Sequence, residues 1–273
     1  MTSSLVNPAD FPSEKEPNTS LLLSPKEVYE IHDESERKRY IYACKSEGKE
    51  LMVFGLPHQN KEDMGLKDAF ENLKPDCVMI ERSVSDELVG GSLEASIKKG
   101  GESGAAIYLA REAKIPVVSW NIPRAELMKE AFKVHPPSAV MGYLIGHFYT
   151  GIMEEGDKPD YKRLQNYLLF RYLEPNDKFA SRELIDVVCQ HYAGKNFDEL
   201  SPEDASELDR QDTNGEPNKA SAWINNRIDT AAVEKIWDQL KLKKQVLVVA
   251  GGFHATRWKP VFEDLMGPAE QLS

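Results

Sequence analysis

Four short apolar runs constrain this chain more than any other feature: "ELMVFGL" (50–56), "DCVMIER" (76–82), "IPVVSWN" (115–121) and "QVLVVA" (245–250). Each has the length of a buried strand. Between them lie segments of amphipathic helical period, such as "KEDMGLKDAFENL" and "RIDTAAVEKIWDQL". Strands that are apolar without alternation are buried on both faces, and intervening helices are the usual means of covering both. The pattern predicts an α/β fold with a mainly parallel central sheet, covered by helices on both faces, and a helical middle segment.

Residues 1–24, with three prolines among Ser, Asn and Glu, read as an extended or disordered arm. A first helix is expected near "ESERKRYIYACKSEG", closed by Gly48. A Gly-rich turn, "KKGGESG", is expected to open the helix "AAIYLAREA". The middle, from about Arg124 to Tyr192, carries helical patterns including "SAVMGYLIGHFYTGIM" and "KFASRELIDVVCQHY". At about 194–222 the chain turns polar and acidic, which reads as a surface insertion. Residues 25–273 are expected to form a single α/β domain.

Charge and cysteine usage narrow the function classes. A formal net charge of -11 opposes binding to nucleic acid or an anionic membrane, because both need a positive face. Cys44, Cys77 and Cys189 are far apart, form no CxxC pair and have apolar neighbours, which fits reduced, buried thiols. No basic segment leads into an apolar one at the N-terminus, and no run approaches the ~18 apolar residues of a membrane span. The expectation is a soluble, cytoplasmic protein with a small-molecule or peptide substrate, compatible with a homo-oligomer.

Standard motifs are absent. "AGGFHATR" lacks GxGxxG, no GxxxxGK[ST] or HExxH occurs, and "GGESGAA" is not GxSxG, so Ser103 has no nucleophile role. What recurs is G-x-x-H: "GLPH", Gly55 to His58, and "GGFH", Gly251 to His254, each directly after an apolar run. In open α/β sheets the ligand crevice lies outside the carboxyl ends of the strands, so two such ends can converge. Glu81 follows the second run. Glu102 sits at a turn feeding a helix N-terminus, where the helix dipole favours a carboxylate.

On these residues the chain resembles the TraB/PrgY group, related to TIKI-type proteases and more distantly to ChaN-like proteins and erythromycin esterases. The resemblance runs from His58 to about Arg124 and again from Asn225 to Gly267. It implies site roles for His58, Glu81, Glu102 and His254. The family's arginine best matches Arg227 in "NNRIDTAA", with Arg182 as runner-up. Asn121 stands in "SWNIPR" where the family has Asp.

Two His, Glu and Arg admit two chemistries. His58, His254 and Glu81 are candidate ligands for a divalent metal (Mn, Co, Zn or Fe) that acidifies bound water, with Glu102 as general base and Arg227 steadying an oxyanion. The erythromycin esterase resemblance implies instead that one His activates water directly. Both describe a hydrolase of an ester or amide bond. The alternative is a non-catalytic protein that sequesters a peptide, small molecule or haem-like group in the same pocket. An isolated strand-end His is usually structural, Glu81 can pair with a surface Lys, and Arg227 can bridge helices. His147, in an apolar helix, reads as a core or pocket-lining residue.

Overall fold

A computed structural model of the chain describes residues 15–31, 40–56, 65–154, 160–171 and 180–272. Its first elements are α1 (Pro25–Ile31), β1 (Tyr40–Ser46), β2 (Lys49–Leu56), α2 (Leu66–Leu73), β3 (Cys77–Ile80), α3 (Leu93–Ala113) and β4 (Val117–Ser119). The helices α4 (Arg124–Val134), α5 (Pro137–Glu154), α6 (Tyr161–Arg171), α7 (Arg182–Ala193) and α8 (Pro202–Asp209) follow. The long α9 (Glu216–Leu242) then leads into β5 (Gln245–Gly251), α10 (Gly252–Met266) and β6 (Glu270–Leu272).

The chain divides into two compact units, Met1–Asn121 with Asp229–Ser273, and Ile122–Ile228. This differs from the single domain expected, and the reason is a second hydrophobic core. Leu127, Val140, Leu144, Leu168, Ile185, Cys189, Phe197 and Ile224 pack together within the helical unit. The stretch read as a polar insertion is part of that core rather than an appendage, since Phe197, Leu200 and Ala205 are buried in it. Its many Ser, Asp and Asn residues cap helices: Ser201 and Asp204 form a reciprocal capping box at α8. Gly146 of α5 lets α8 approach, because a Cβ there would sit 2.7 Å from the Ala205 carbonyl oxygen.

In the first unit the described strands run in the order β4-β3-β5-β2-β1-β6. β4, β3, β5 and β2 are parallel; β1 and β6 are antiparallel additions at one edge. The fold is α/β, with a mostly parallel sheet flanked by helices. Phe54, Leu56, Val78, Ile80, Leu247 and Val249 share one face with Phe70 of α2 and Ala106, Ile107 and Ala110 of α3. Their neighbours in the pleat point to the opposite face. There Gly55 lies against α10, and the Cys77 Sγ is 3.8 Å from Gln239 of α9.

Two local expectations are corrected. "YIYACKS" is not helical but is β1, in register with β2 from Tyr40 opposite Gly55 to Ser46 opposite Lys49. Glu47 and Gly48 both have positive φ, 46° and 78°, the two-residue geometry of a type I′ hairpin. Gly48 therefore turns a hairpin instead of closing a helix. The arm is also docked from residue 15 onward. Trp237 Nε1 donates to the Lys15 carbonyl at 2.8 Å, and Leu23 N to the Arg257 carbonyl at 3.3 Å. Among the described residues no helix is long and apolar enough to cross a membrane.

Candidate functional site

The two G-x-x-H motifs begin on neighbouring strands, as the matching strand ends suggested. β2 and β5 are paired in parallel, with Gly55 opposite Ala250 and Leu56 opposite Gly251. Gly55 does not face a ligand. A Cβ on it would lie 2.7 Å from Ala255 Cβ, 2.7 Å from the Tyr40 carbonyl oxygen and 3.3 Å from Gly252 Cα. Its missing side chain lets the first turn of α10 rest directly on the end of β2.

His254 lies in that first turn, its side chain 12% exposed. Its Nδ1 is 2.6 Å from Oδ1 of Asp229, a fully buried carboxylate on α9. Trp258 Nε1 donates to the same oxygen at 2.7 Å, and the Arg257 guanidinium bonds the other one. An ionised carboxylate only accepts, so Nδ1 carries the proton and Nε2 of the neutral ring is the basic nitrogen. The Arg257 charge offsets that of Asp229, which would otherwise be costly to bury. The imidazole is also packed in place: Trp258 stacks on it at 5.8 Å, and Trp120 meets it edge-on at 5.7 Å. Trp120 is in turn tied to β5 by a bond from its Nε1 to the Val249 carbonyl at 3.0 Å.

The sheet has a topological switch point here. β3 and β5 are neighbours, but α3 follows β3 on one face of the sheet and α10 follows β5 on the other. Chain connections that diverge from adjacent parallel strands leave a gap outside their carboxyl ends. Glu81, half-buried, sits directly after β3 at this gap, and its carbonyl accepts a bond from Ser119 Oγ of β4 at 3.4 Å. α10 begins at Gly252 with no side-chain cap. The first-turn amides of a helix have no intrahelical acceptor.

The other expected residues are distributed as follows. Glu102 is half-buried and opens the second half of α3 after Gly101, whose φ of 58° and ψ of -141° break the helix in two. The helix itself starts earlier than expected, at the Ser92 cap, and Ser103 is buried within it. The Arg227 guanidinium is 3.2 Å from Glu130, both half-exposed, within the helical unit. Arg182 pairs with Asp198 and Asp186 in that unit. His147 forms a second histidine–carboxylate pair, 3.2 Å from Asp209, but its side chain is 43% exposed and lacks the enclosure of His254. His58 lies outside the described residues. Among those described, no group of three or more His, Cys, Asp or Glu side chains is arranged to hold a metal ion. His254 and Glu81 alone fall one ligand short of the three a hydrolytic metal centre uses.

Asp229, Arg257, Trp120 and Trp258 were not singled out from the sequence, although a signal for Asp229 exists. Asp229, Ala232, Val233, Ile236, Trp237 and Leu240 form the buried stripe of α9, so a carboxylate interrupts an otherwise apolar face. Arg257 and Trp258 follow His254 at helical spacing and so share its side of α10.

A groove of about 590 Å³ lies at the opposite, amino ends of the strands, lined by Lys45, Lys49, Glu50, Asp76 and Lys244 among others. Most of its charges are engaged within the protein itself. Lys45 pairs with Glu50 at 3.1 Å, Lys49 Nζ caps α9 through the Leu240 and Lys241 carbonyls, and Asp76 accepts from the amides of Lys244 and Gln245. The three cysteines are buried and unpaired; burial pushes the Cys44 and Cys189 thiols up to about 12 and raises that of Cys77, so none is a ready nucleophile. No family model, curated protein or solved structure matches the chain.

Proposed function

We propose that the chain is a hydrolase of ester or amide bonds in which His254 is the general base. The observation that carries this reading is the bond from His254 Nδ1 to the buried Asp229 carboxylate. It fixes one tautomer and makes Nε2 the basic nitrogen, the one suited to act on water.

The steps follow from that geometry. His254 Nε2 takes a proton from water as the oxygen attacks the substrate carbonyl carbon, and Asp229 stabilises the imidazolium that forms. The carbonyl oxygen becomes an oxyanion, for which the first-turn amides of α10 and their helix dipole are suitable donors. The tetrahedral intermediate then collapses, expelling the alcohol or amine, which recovers the proton from His254. Glu81, at the end of the adjacent strand, orients the water. Glu102 and Arg227 are assigned no step.

The test is hydrolysis of 4-nitrophenyl esters and anilides by the purified chain and by His254→Ala, with and without added Mn, Zn or chelator. Loss of turnover in the variant with its fold intact supports the reading. Equal turnover in both proteins overturns it.

A further inference from the structure

Lys235 stands on α9 and is half-buried. Its Nζ donates to the main-chain carbonyl of Asn121 at 2.5 Å. An ammonium carries three donors, and among the described residues no carboxylate is paired with this one. Other partly buried lysines have more: Lys195 pairs with Asp204 at 2.5 Å, Lys241 with Asp238 at 2.7 Å, and Lys49 bonds two carbonyls. A half-buried cation with a single neutral acceptor is under-compensated.

Its position gives that charge a use. Asn121, which holds it, directly follows Trp120, the ring packed edge-on against His254. Six residues, about 9 Å of helical rise, separate Lys235 from Asp229 on the same helix.

We propose that Lys235 is the specificity-determining residue of the site and receives a carboxylate on the substrate. The substrate class is then an ester or amide with a free carboxylate a few atoms from the scissile bond. This rests on the hydrolase reading above. A single ammonium matches a monoanion; a phosphate dianion would leave one charge uncompensated near the Glu81 strand end, in a chain of net charge -11. Lys235 touches no reacting atom, so its role is in recognition.

The test compares two esters of similar size, 4-nitrophenyl hydrogen succinate, which carries a carboxylate, and the neutral 4-nitrophenyl butyrate. Wild type is expected to favour the succinate, mainly through KM. Lys235→Met is expected to lose roughly tenfold or more in the ratio of kcat/KM on the succinate to that on butyrate, and Lys235→Arg to keep much of the preference. Thermal unfolding of each variant checks the fold. A second arm needs no turnover: binding of succinamate is followed by calorimetry in wild type, Lys235→Met and His254→Ala. Binding that is lost with Lys235 while no ester is cleaved upholds the carboxylate site and removes the hydrolase reading. Turnover without preference for the succinate, or a preference that survives Lys235→Met, overturns the proposal and leaves the hydrolase standing. Neither binding nor turnover overturns both.

Discussion

His254 Nδ1 and Asp229 Oδ1 are 2.6 Å apart, and the carboxylate that holds the ring is wholly shielded from solvent. Asp229→Asn keeps the shape but removes the charge that fixes the tautomer and balances Arg257. Turnover is expected to fall by about 10²–10⁴, and stability by roughly 3–5 kcal/mol, because the Arg257 charge is left buried and unmatched. Ester hydrolysis and urea unfolding check both; a variant with wild-type rates would remove Asp229 from the mechanism.

Gly55 and Gly252 are near neighbours, and substitution should affect them unequally. Alanine at Gly55 places a Cβ 2.7 Å from Ala255 Cβ and from the Tyr40 carbonyl, whereas at Gly252 the nearest atom is 3.8 Å away. Gly55→Ala is expected to cost about 1–3 kcal/mol by overpacking. Gly252→Ala should be nearly neutral. Paired chemical denaturation curves decide, and equal effects would contradict the contact between β2 and α10.

The thiols set a pH dependence at the alkaline end. Cys44 and Cys189 are raised from 9.0 to about 12 in the folded chain by burial. Below pH 9 both are protonated whether the chain is folded or not. Above it the unfolded chain loses these protons first, so stability falls as pH rises from 9 toward 12. At pH 8 all three cysteines should resist a disulfide reagent until the protein is unfolded. Rapid labelling of native protein would show the burial to be wrong.

Gly101 adopts φ 58° with ψ -141°, a region open essentially to glycine alone. Gly101→Ala is expected to cost roughly 1–3 kcal/mol and to disturb the start of the helical segment that begins with Glu102. A melting temperature equal to wild type would contradict the break in α3.

The parts of the fold readable from the sequence are those where one signal acts alone. β2, β3, β4 and β5 are apolar on both faces, so their runs could be mistaken for little else, and the two histidine motifs follow from their ends. β1 was missed because "YIYACKS" follows "ESERKR" without a breaker, and its partners, β2 and α10, are set by tertiary packing rather than by local period. The 194–222 stretch was misjudged because capping residues and surface residues are the same types, Ser, Asp and Asn. Within the site, His254 was legible from its motif. Asp229 was not, because a lone carboxylate on an apolar stripe becomes meaningful only once the imidazole it faces is known. His58 lies outside the described residues.

Arg257 joins two distant parts of the chain. Its Nε donates to the Leu23 carbonyl at 2.7 Å, while another of its nitrogens reaches Asp229. The segment before α1 is therefore fastened to the same guanidinium that steadies Asp229, the partner of the His254 ring. Trimming the chain past Leu23, or joining a bulky tag close to it, removes or strains one anchor of that guanidinium. An expression variant chosen only for convenience at its amino end could thus alter turnover more than many substitutions made beside the imidazole.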